Sequence, residues 1–454
     1  MEKPNVIMIM TDQQRADMVG PNRHPCADFP VLEQLRNEST CFDQCYTAAI
    51  PCVPSRHVFL TGRNEWMAGV SGNRRFPLPD ETTWMSILRA QGYKSLSVGK
   101  THGVHAGSHH VPTTLGKSFN PGEMAGGFNH YEIAPTNEPD EMYFDLQAAN
   151  QACDLLQELN NRGPFALFVG FHAPHEPYVM PQKYIDAVSD LDIPLPDVLP
   201  DAYETKSQSF KDRVDMLNER FGPITEKKMR TGIRGYMGLM KMIDECVGRV
   251  LNQIESLGLL DNSIVIFVSD HGDVPGEHGV FNKTATFYDS EVRVPFYIRM
   301  PGSNGEHKTV DGLASSIDFV PTLFDLLDLD PDVSLPGHSL KPLMDNDTQV
   351  RDHVLSSTCH SMMIRTNDTK LWLDSRHSDG EMYDLNRDPH EHHNLFHAPE
   401  HADARYKLTE RLLLERIRSD ILTNSPTRAD MNRTREIAVT NQPEIGLGPR
   451  PRTN

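Results

Sequence analysis

The chain has 454 residues, of which 38% are hydrophobic and 24% charged, a composition typical of a globular protein with a large core. Its net charge of −19 argues against nucleic acid or an anionic membrane as a partner, and any anionic substrate would need a locally positive pocket. No apolar run approaches the ~20 residues of a membrane span. Because Met1-Glu2-Lys3-Pro4 lacks the features of a signal peptide, we expect a cytoplasmic protein without a membrane partner.

The first apolar run, residues 5–10, predicts a strand that is buried on both faces. Asp12 and Gln13 follow it, so they emerge where open α/β sheets bind their ligands, at the carboxyl end of a central strand. The alternative for Asp12 alone is a cap on the next helix.

The next motif is Pro51-Cys52-Val53-Pro54-Ser55-Arg56. Proline is tolerated in the first turn of a helix, so Cys52 is predicted at a helix N-terminus, where free N–H groups and the helix dipole favour an anion. Arg56 lies one turn further, on the same face. The alternative reading of Cys52 is a small buried hydrophobic residue.

Three later strands also end in residues that can carry charge. They are strand 94–98 followed by Lys100 and His102, strand 165–170 followed by His172 and His175, and strand 264–268 followed by Asp270 and His271, with Lys283 in the next polar loop. Taken singly, each could be a loop histidine or a surface lysine. Because helices alternate with these strands, the strand ends are expected at one edge of a sheet. Carboxylates there suit a hard divalent cation, and lysine and histidine suit an anion and proton transfer.

The region after residue 345 has a different pattern. Two alternating segments, 361–365 and 370–373, flank a turn and predict a β-hairpin, and a further strand and a helix near 404–418 follow. We therefore predict a catalytic domain over residues 1–345. Residues 346–454 are predicted to form a C-terminal subdomain with an antiparallel sheet, a helix and an extended tail.

The Cys-x-Pro-Ser-Arg run, followed by Leu60-Thr61-Gly62-Arg63, resembles the signature of the type I sulfatases. The resemblance extends over nearly the whole chain. It implies an alkaline-phosphatase-like α/β/α sandwich with a mostly parallel central sheet, plus a small C-terminal α+β subdomain with an antiparallel sheet. In that family a maturation enzyme oxidises the motif cysteine to Cα-formylglycine, whose hydrate is the nucleophile.

The resemblance also implies a role for each strand-end residue. The implied catalytic residues are Cys52, Arg56, Lys100, His102, His175 and Lys283, and the implied metal-site residues are Asp12, Gln13, Cys52, Asp270 and His271. The implied cofactor is one divalent cation, Ca²⁺ first, with Mn²⁺ or Mg²⁺ as alternatives.

Two positions depart from the pattern of many sulfatases. Gln13 stands where many members have a second aspartate, and His271 where many have asparagine. This combination resembles choline sulfatases and, more closely, phosphonate monoester hydrolases, which use the same formylglycine.

The expected function is therefore a sulfuric ester hydrolase acting on a small anionic substrate, a sulfated sugar or an aryl sulfate. The first alternative is a phosphonate monoester or phosphodiester hydrolase with the same site. The second is a non-catalytic anion- or glycan-binding protein that kept the fold, which would not need a convertible cysteine. Specificity is expected in residues 103–140, where His105, His109 and His110 are candidates, and in residues 180–225.

Overall fold

The computed structural model describes residues 3–73, 81–101, 110–111, 132–136, 139–283, 286–303 and 307–423. The strands are β1 (Asn5–Asp12), β2 (Thr40–Phe42), β3 (Cys45–Tyr46), β4 (Lys94–Gly99), β5 (His110–Val111), β6 (Ile133–Pro135), β7 (Phe165–Pro174), β8 (Tyr178–Met180), β9 (Ser263–Ser269), β10 (Phe296–Arg299), β11 (Lys308–Val310), β12 (Ala314–Ser315), β13 (Val354–Ser357), β14 (Ser361–Arg365), β15 (Thr369–Asp374) and β16 (Asp379–Asp384). The α-helices are α1 (Pro30–Asn37), α2 (Cys52–Thr61), α3 (Trp84–Ala90), α4 (Phe144–Leu159), α5 (Gln182–Asp186), α6 (Pro200–Thr205), α7 (Gln208–Phe221), α8 (Glu226–Ser256), α9 (Asp289–Val292), α10 (Phe319–Leu326), α11 (Lys341–Asn346) and α12 (Ala402–Thr423).

An eight-stranded sheet in the order β11-β2-β10-β9-β1-β7-β4-β5 forms the centre of the fold. Strand β1 pairs in parallel with β7 on one side and with β9 on the other, and β10 is the antiparallel exception. The sheet is therefore mostly parallel, as predicted, and the first strand of the sequence is among its central strands.

Helices cover both faces of this sheet. Alternate side chains of β1 point to opposite faces, so Ile7 and Ile9 pack with residues of α1, α4 and α8, whereas Val6 and Met8 pack with residues of α2, α3 and α10. All eight residues of β1 are buried, which explains its uninterrupted apolar run. The α/β/α sandwich predicted from the sequence is confirmed.

A second sheet, with four antiparallel strands in the order β13-β14-β15-β16, lies in the C-terminal region. The predicted hairpin is present as β14 and β15, and α12 packs on this sheet through Leu412. A shared cluster that includes Phe210, Tyr288 and Trp372 joins this sheet to the rest of the chain. Residue 345 lies inside α11. The boundary between a catalytic domain and a C-terminal subdomain at this residue remains a prediction.

Some element boundaries differ from the predictions. Helix α8 begins at Glu226 rather than near Thr231, because the Thr225 side chain caps it by accepting a hydrogen bond from the Lys228 backbone N–H. The polar segment 180–225 contains three helices, α5 to α7. Across the described ranges, none of the helices combines the length and the apolar character that a membrane crossing requires.

Candidate active site

The site lies at the carboxyl ends of three adjacent strands of the central sheet. Strand β1 ends at Asp12, β9 is followed by Asp270 and His271, and β7 leads into His175. Since β1 pairs with both neighbours in parallel, these ends meet at one edge. The neighbouring strand β4 delivers Lys100, whose backbone N–H donates to Gly170 O at 2.7 Å. A Cβ on Gly99 would lie 2.0 Å from that carbonyl, so only glycine permits this approach.

Helix α2 begins at Cys52, which is 1% exposed and faces this edge of the sheet. Its Sγ lies 3.1 Å from Lys283 Nζ, 3.2 Å from His271 Nε2 and 3.7 Å from Asp12 Oδ1. Burial and Asp12 raise the pKa of the Cys52 thiol, but Lys283 and His271 outweigh them and bring it below its ordinary value. The predicted position of the cysteine at a helix N-terminus is thus observed.

Arg56, one turn along α2, is fully buried and binds the two carboxylates rather than the sulfur. Its Nε donates to Asp270 Oδ2 at 2.8 Å, and its Nη2 donates to Asp12 Oδ2 at 3.0 Å. Its Nη1 donates to the backbone oxygen of Lys100 at 2.6 Å. Arg56 therefore fixes Asp12 and Asp270 relative to each other.

Asp12 also pairs with a second cationic side chain, that of Lys100, which directly follows β4. Lys100 Nζ lies 2.7 Å from Asp12 Oδ2. Burial raises the pKa of Asp12, but Lys100 and Arg56 hold it well below its ordinary value. Asp12 is thus ionised although it is inaccessible to solvent.

His175 and Lys283 form a pair above the sulfur. His175 Nδ1 lies 2.6 Å from the backbone oxygen of Glu176, and Lys283 Nζ lies 2.8 Å from His175 Nε2. Burial and the ammonium groups of Lys283 and Lys100 hold the pKa of His175 well below its ordinary value. His175 is therefore neutral, with a proton on Nδ1, and its Nε2 accepts a hydrogen bond from Lys283.

The arrangement at the sheet edge also fits a metal ion. One ligand atom from each of Asp12, Cys52, Asp270 and His271 lies within 4.8 Å of the others. Beside them, Gln13 Oε1 is buried and has no hydrogen-bond partner among the described residues. Such an unpartnered acceptor is what a cation would satisfy.

His271 has the second-sphere contact expected of a ligand, because its Nδ1 lies 2.8 Å from the backbone oxygen of Gly272 and donates to it. Burial lowers the pKa of His271, but Asp270 and Cys52 raise it to about 9. Metal ligands must be deprotonated, so a cation bound here would release the Nε2 proton.

The structure brings together all but one of the residues singled out from the sequence for catalysis and metal binding. His102 lies outside the described residues, as do His105 and His109, and the side chain of His110 is not described. The ring centroid of His172 lies 4.7 Å from that of His175.

Sequence reasoning missed two carboxylates that support the site. Asp145, on α4, accepts hydrogen bonds from the backbone N–H groups of His172 and Ala173, and burial raises its pKa to about 6. Glu176 contacts Gln13. Its position directly after His175, at the end of an apolar strand, was the signal that could have revealed it.

Comparison with known proteins shows which protein family the chain belongs to. The family model described as "Sulfatase" matches residues 4–329, and that of the "N-sulphoglucosamine sulphohydrolase, C-terminal" region matches residues 276–418. The chain therefore belongs to the sulfatase family, as its resemblance implied, and it is a hydrolase that acts on sulfate esters.

Similar proteins can be aligned with this chain over nearly its full length. An arylsulfatase of Clostridium perfringens is 28% identical, covering 88% of this chain and 92% of its own length. An N-acetylglucosamine-6-O-sulfatase of Bacteroides thetaiotaomicron is 24% identical, covering 94% of this chain and 88% of its own length. The crystal structure of a phosphonate monoester hydrolase of Agrobacterium radiobacter superposes with a TM-score of 0.79 at 21% identity, covering 92% of this chain and 96% of its own, and so shares the fold.

Proposed function

We propose that the chain hydrolyses a sulfate monoester of a carbohydrate at residue 52. We further propose that Cys52 is converted to Cα-formylglycine by a maturation enzyme and lies beside one divalent cation. The observation that carries the proposal is the position of the Cys52 sulfur, 3.1 Å from Lys283 Nζ and within the Asp12–Asp270–His271 cluster. A buried cysteine without a chemical role does not require a lysine ammonium group against it.

The charge balance favours an anionic substrate. Arg56, Lys100 and Lys283 supply three cations, whereas Asp12 and Asp270 supply two carboxylates. A metal ion would add further positive charge. This concentration of cations would stabilise a sulfuryl group in transfer even though the chain as a whole carries −19.

The cation would be held by Asp12, Gln13, Asp270 and His271, together with residue 52. It would supply Lewis-acid polarisation of a sulfate oxygen. With mainly oxygen donors, Ca²⁺ is our first assignment, and the nitrogen of His271 makes Mn²⁺ the nearest competitor, with Mg²⁺ as a further alternative. Formylglycine would supply an aldehyde hydrate as the nucleophile instead of a thiol.

The side chains have separate tasks in this proposal. Lys283 carries the proton, since His175 Nε2 accepts a hydrogen bond from it, and it is the group we assign to protonate the leaving oxygen. Arg56 and Lys100 orient the carboxylates. We assign the base that releases sulfate to His102.

A sulfated amino sugar is the substrate class that we propose, because the N-acetylglucosamine-6-O-sulfatase matches over 94% of this chain. The second candidate is a phosphonate monoester. It is favoured by Gln13 and His271 at the cluster and by the shared fold with the phosphonate monoester hydrolase.

The test uses the full-length protein produced together with a formylglycine-generating enzyme. Mass spectrometry of the tryptic peptide 37–56 should show residue 52 without its sulfur, while Cys41 and Cys45 in the same peptide keep theirs and act as internal controls. A fully active protein with an intact Cys52 thiol would refute the proposal.

The same preparation is then assayed on sulfated mono- and oligosaccharides, an aryl sulfate and an aryl phosphonate monoester. We expect the highest kcat/KM on a sulfated amino sugar and loss of activity in Cys52→Ala. A higher kcat/KM on the phosphonate would select the second candidate.

A further inference from the structure

Glu176 is a buried carboxylate that contacts three separate segments of the site. It is 4% exposed. Its Oε2 accepts a hydrogen bond from Gln13 Nε2 at 2.8 Å, and its Oε1 accepts one from Asn282 Nδ2 at 2.7 Å. Its backbone oxygen accepts the proton of His175 Nδ1 at 2.6 Å. One residue thus joins the end of β1, the segment after β7 and the loop that carries Lys283.

The amide of Gln13 is held in one orientation by these contacts. Its Nε2 donates to Glu176, and the carboxylate of Asp273 accepts a hydrogen bond from the same side chain. Rotating the amide by half a turn would place its oxygen against the Glu176 carboxylate, which is electrostatically unfavourable. Oε1 is therefore directed away from Glu176, and it is the buried acceptor that lacks a partner among the described residues.

The backbone at Gln13 shows the same constraint. Its φ is 69°, in the left-handed region that a residue with a side chain rarely adopts. Such a conformation costs about 1 kcal/mol or more and persists where the surroundings fix it. The side-chain contacts to Glu176 and Asp273 hold Gln13 in this conformation.

We propose that Glu176, with Asp273, is a positioning residue of the metal centre: it presents Gln13 Oε1 as a ligand and polarises the amide. The inference rests on the proposed function, because it requires the cation. An amide carries no net charge, so it is a weaker ligand than the second aspartate that many sulfatases have. A carboxylate on its N–H side increases the negative charge on its oxygen, as outer-sphere partners do for ligands of metal ions.

The other carboxylate oxygen of Glu176, Oε1, extends this role to the loop that carries Lys283, through its hydrogen bond with Asn282. Asn282 is adjacent to Lys283, and the backbone oxygen of Lys283 accepts a hydrogen bond from Arg213 at 2.8 Å. The carboxylate that orients the ligand Gln13 therefore also fixes the loop whose ammonium group lies against residue 52.

The test measures metal binding rather than turnover. The metal-depleted full-length protein is titrated with Ca²⁺ and, separately, Mn²⁺ by calorimetry, and its Tm is recorded with and without the ion. In Glu176→Gln the new amide must direct N–H groups at either Gln13 or Asn282, so one of these must turn. We expect the affinity to fall by about 10- to 100-fold and the metal-induced rise in Tm to shrink.

Two further variants separate positioning from folding. Asp273→Asn tests the other contact of Gln13 and should also weaken binding. Glu65→Gln, which alters a buried carboxyl bonded to Ser357, is the matched control and should leave metal affinity unchanged.

The outcomes distinguish the inference from the proposed function. If the wild-type protein binds neither ion, the metal centre itself is wrong. If the wild type binds and both Glu176→Gln and Asp273→Asn bind equally well, only the positioning role is overturned. A variant whose Tm falls equally with and without metal, at unchanged affinity, would assign Glu176 a purely structural role and would also overturn the inference.

Discussion

Two groups of buried charged side chains can be compared in this molecule. The site cluster comprises Asp12, Arg56, Lys100, Asp270 and Lys283. The junction cluster comprises Lys206, Asp289, Lys370, Glu381 and Glu391, and it joins Lys206 and helix α9 to the antiparallel sheet and the segment after it. Most members of both are almost inaccessible to solvent, so burial of charge does not distinguish them.

The junction cluster pairs its members with one another. Lys370 Nζ is bonded to Asp289, lies 2.5 Å from Glu391 Oε1 and donates to the backbone oxygen of Phe287 at 2.8 Å. Lys206 Nζ donates to the hydroxyl of Tyr383 at 2.8 Å. With Arg365, whose Nε lies 3.6 Å from Asp289 Oδ1, cations and carboxylates are equal in number here, and no reactive side chain lies at the centre of the described contacts.

In the site cluster the cations outnumber the carboxylates, and several groups converge on the Cys52 sulfur. An acceptor, Gln13 Oε1, has no partner among the described residues. The comparison shows that buried ion pairs alone do not indicate an active site. What distinguishes the site cluster is that its groups share one focus, the Cys52 sulfur.

The largest expected effect is on stability, at the junction cluster. Lys370→Met removes one partner and leaves the buried Glu391 and the partly buried Asp289 without it, which should lower the free energy of unfolding by about 3–5 kcal/mol. Denaturant unfolding measures this loss. Turnover per folded molecule should stay near wild type, and a fall in kcat at unchanged stability would contradict the structural role.

The matching change in the site cluster is Lys283→Met. It removes the donor beside residue 52, so kcat should fall by roughly 10²–10³-fold, or about 3–4 kcal/mol of transition-state stabilisation. Steady-state kinetics on an aryl sulfate and a Tm on the same sample check it. Wild-type kcat in this variant would exclude Lys283 from the chemistry.

Glu65, a buried carboxyl outside both clusters, shows the effect of burial without a lysine partner. Burial raises its pKa from 4.5 to about 7, so between these values the folded chain holds a proton that the unfolded chain releases. The free energy of unfolding contributed by Glu65 therefore falls as pH rises through this window.

Glu65→Gln removes that dependence. Its free energy of unfolding relative to wild type should rise by about 3 kcal/mol between about pH 4.5 and 7. Unfolding curves at three pH values measure the difference. A difference that does not vary with pH would mean that Glu65 is ionised in the folded chain.

The smallest expected effect comes from removing the metal. At a free ion concentration of 100 times Kd, binding stabilises the folded chain by about 2.7 kcal/mol, so a chelator should lower the Tm and added Ca²⁺ should restore it. The same experiment on Lys370→Met should give an equal shift, since the junction cluster holds no ion in our proposal. Equal Tm values with and without chelator in the wild type would count against the metal centre.

The sequence was sufficient for features that depend on local pattern. Apolar runs such as residues 5–10 located the central strands, and the residues after each run located the site, because parallel strands bring their carboxyl ends to one edge. Contacts such as Gln13–Glu176 and Lys206–Tyr383 could not be predicted, since they join residues more than 160 positions apart and depend on side-chain orientation. Helix α8 extended beyond its predicted start because its apolar stripe begins only after the capped first turn.

The position of β1 between β7 and β9 has a consequence for biosynthesis. This strand is synthesised before its partner β9, which follows about 250 residues later, an interval of roughly 13–50 s at ribosomal rates. Until then the edge of the sheet that encloses residue 52 is incomplete. The maturation enzyme that we propose would therefore reach the Cys52 side chain, 1% exposed in the folded chain, more easily before β9 has paired than afterwards.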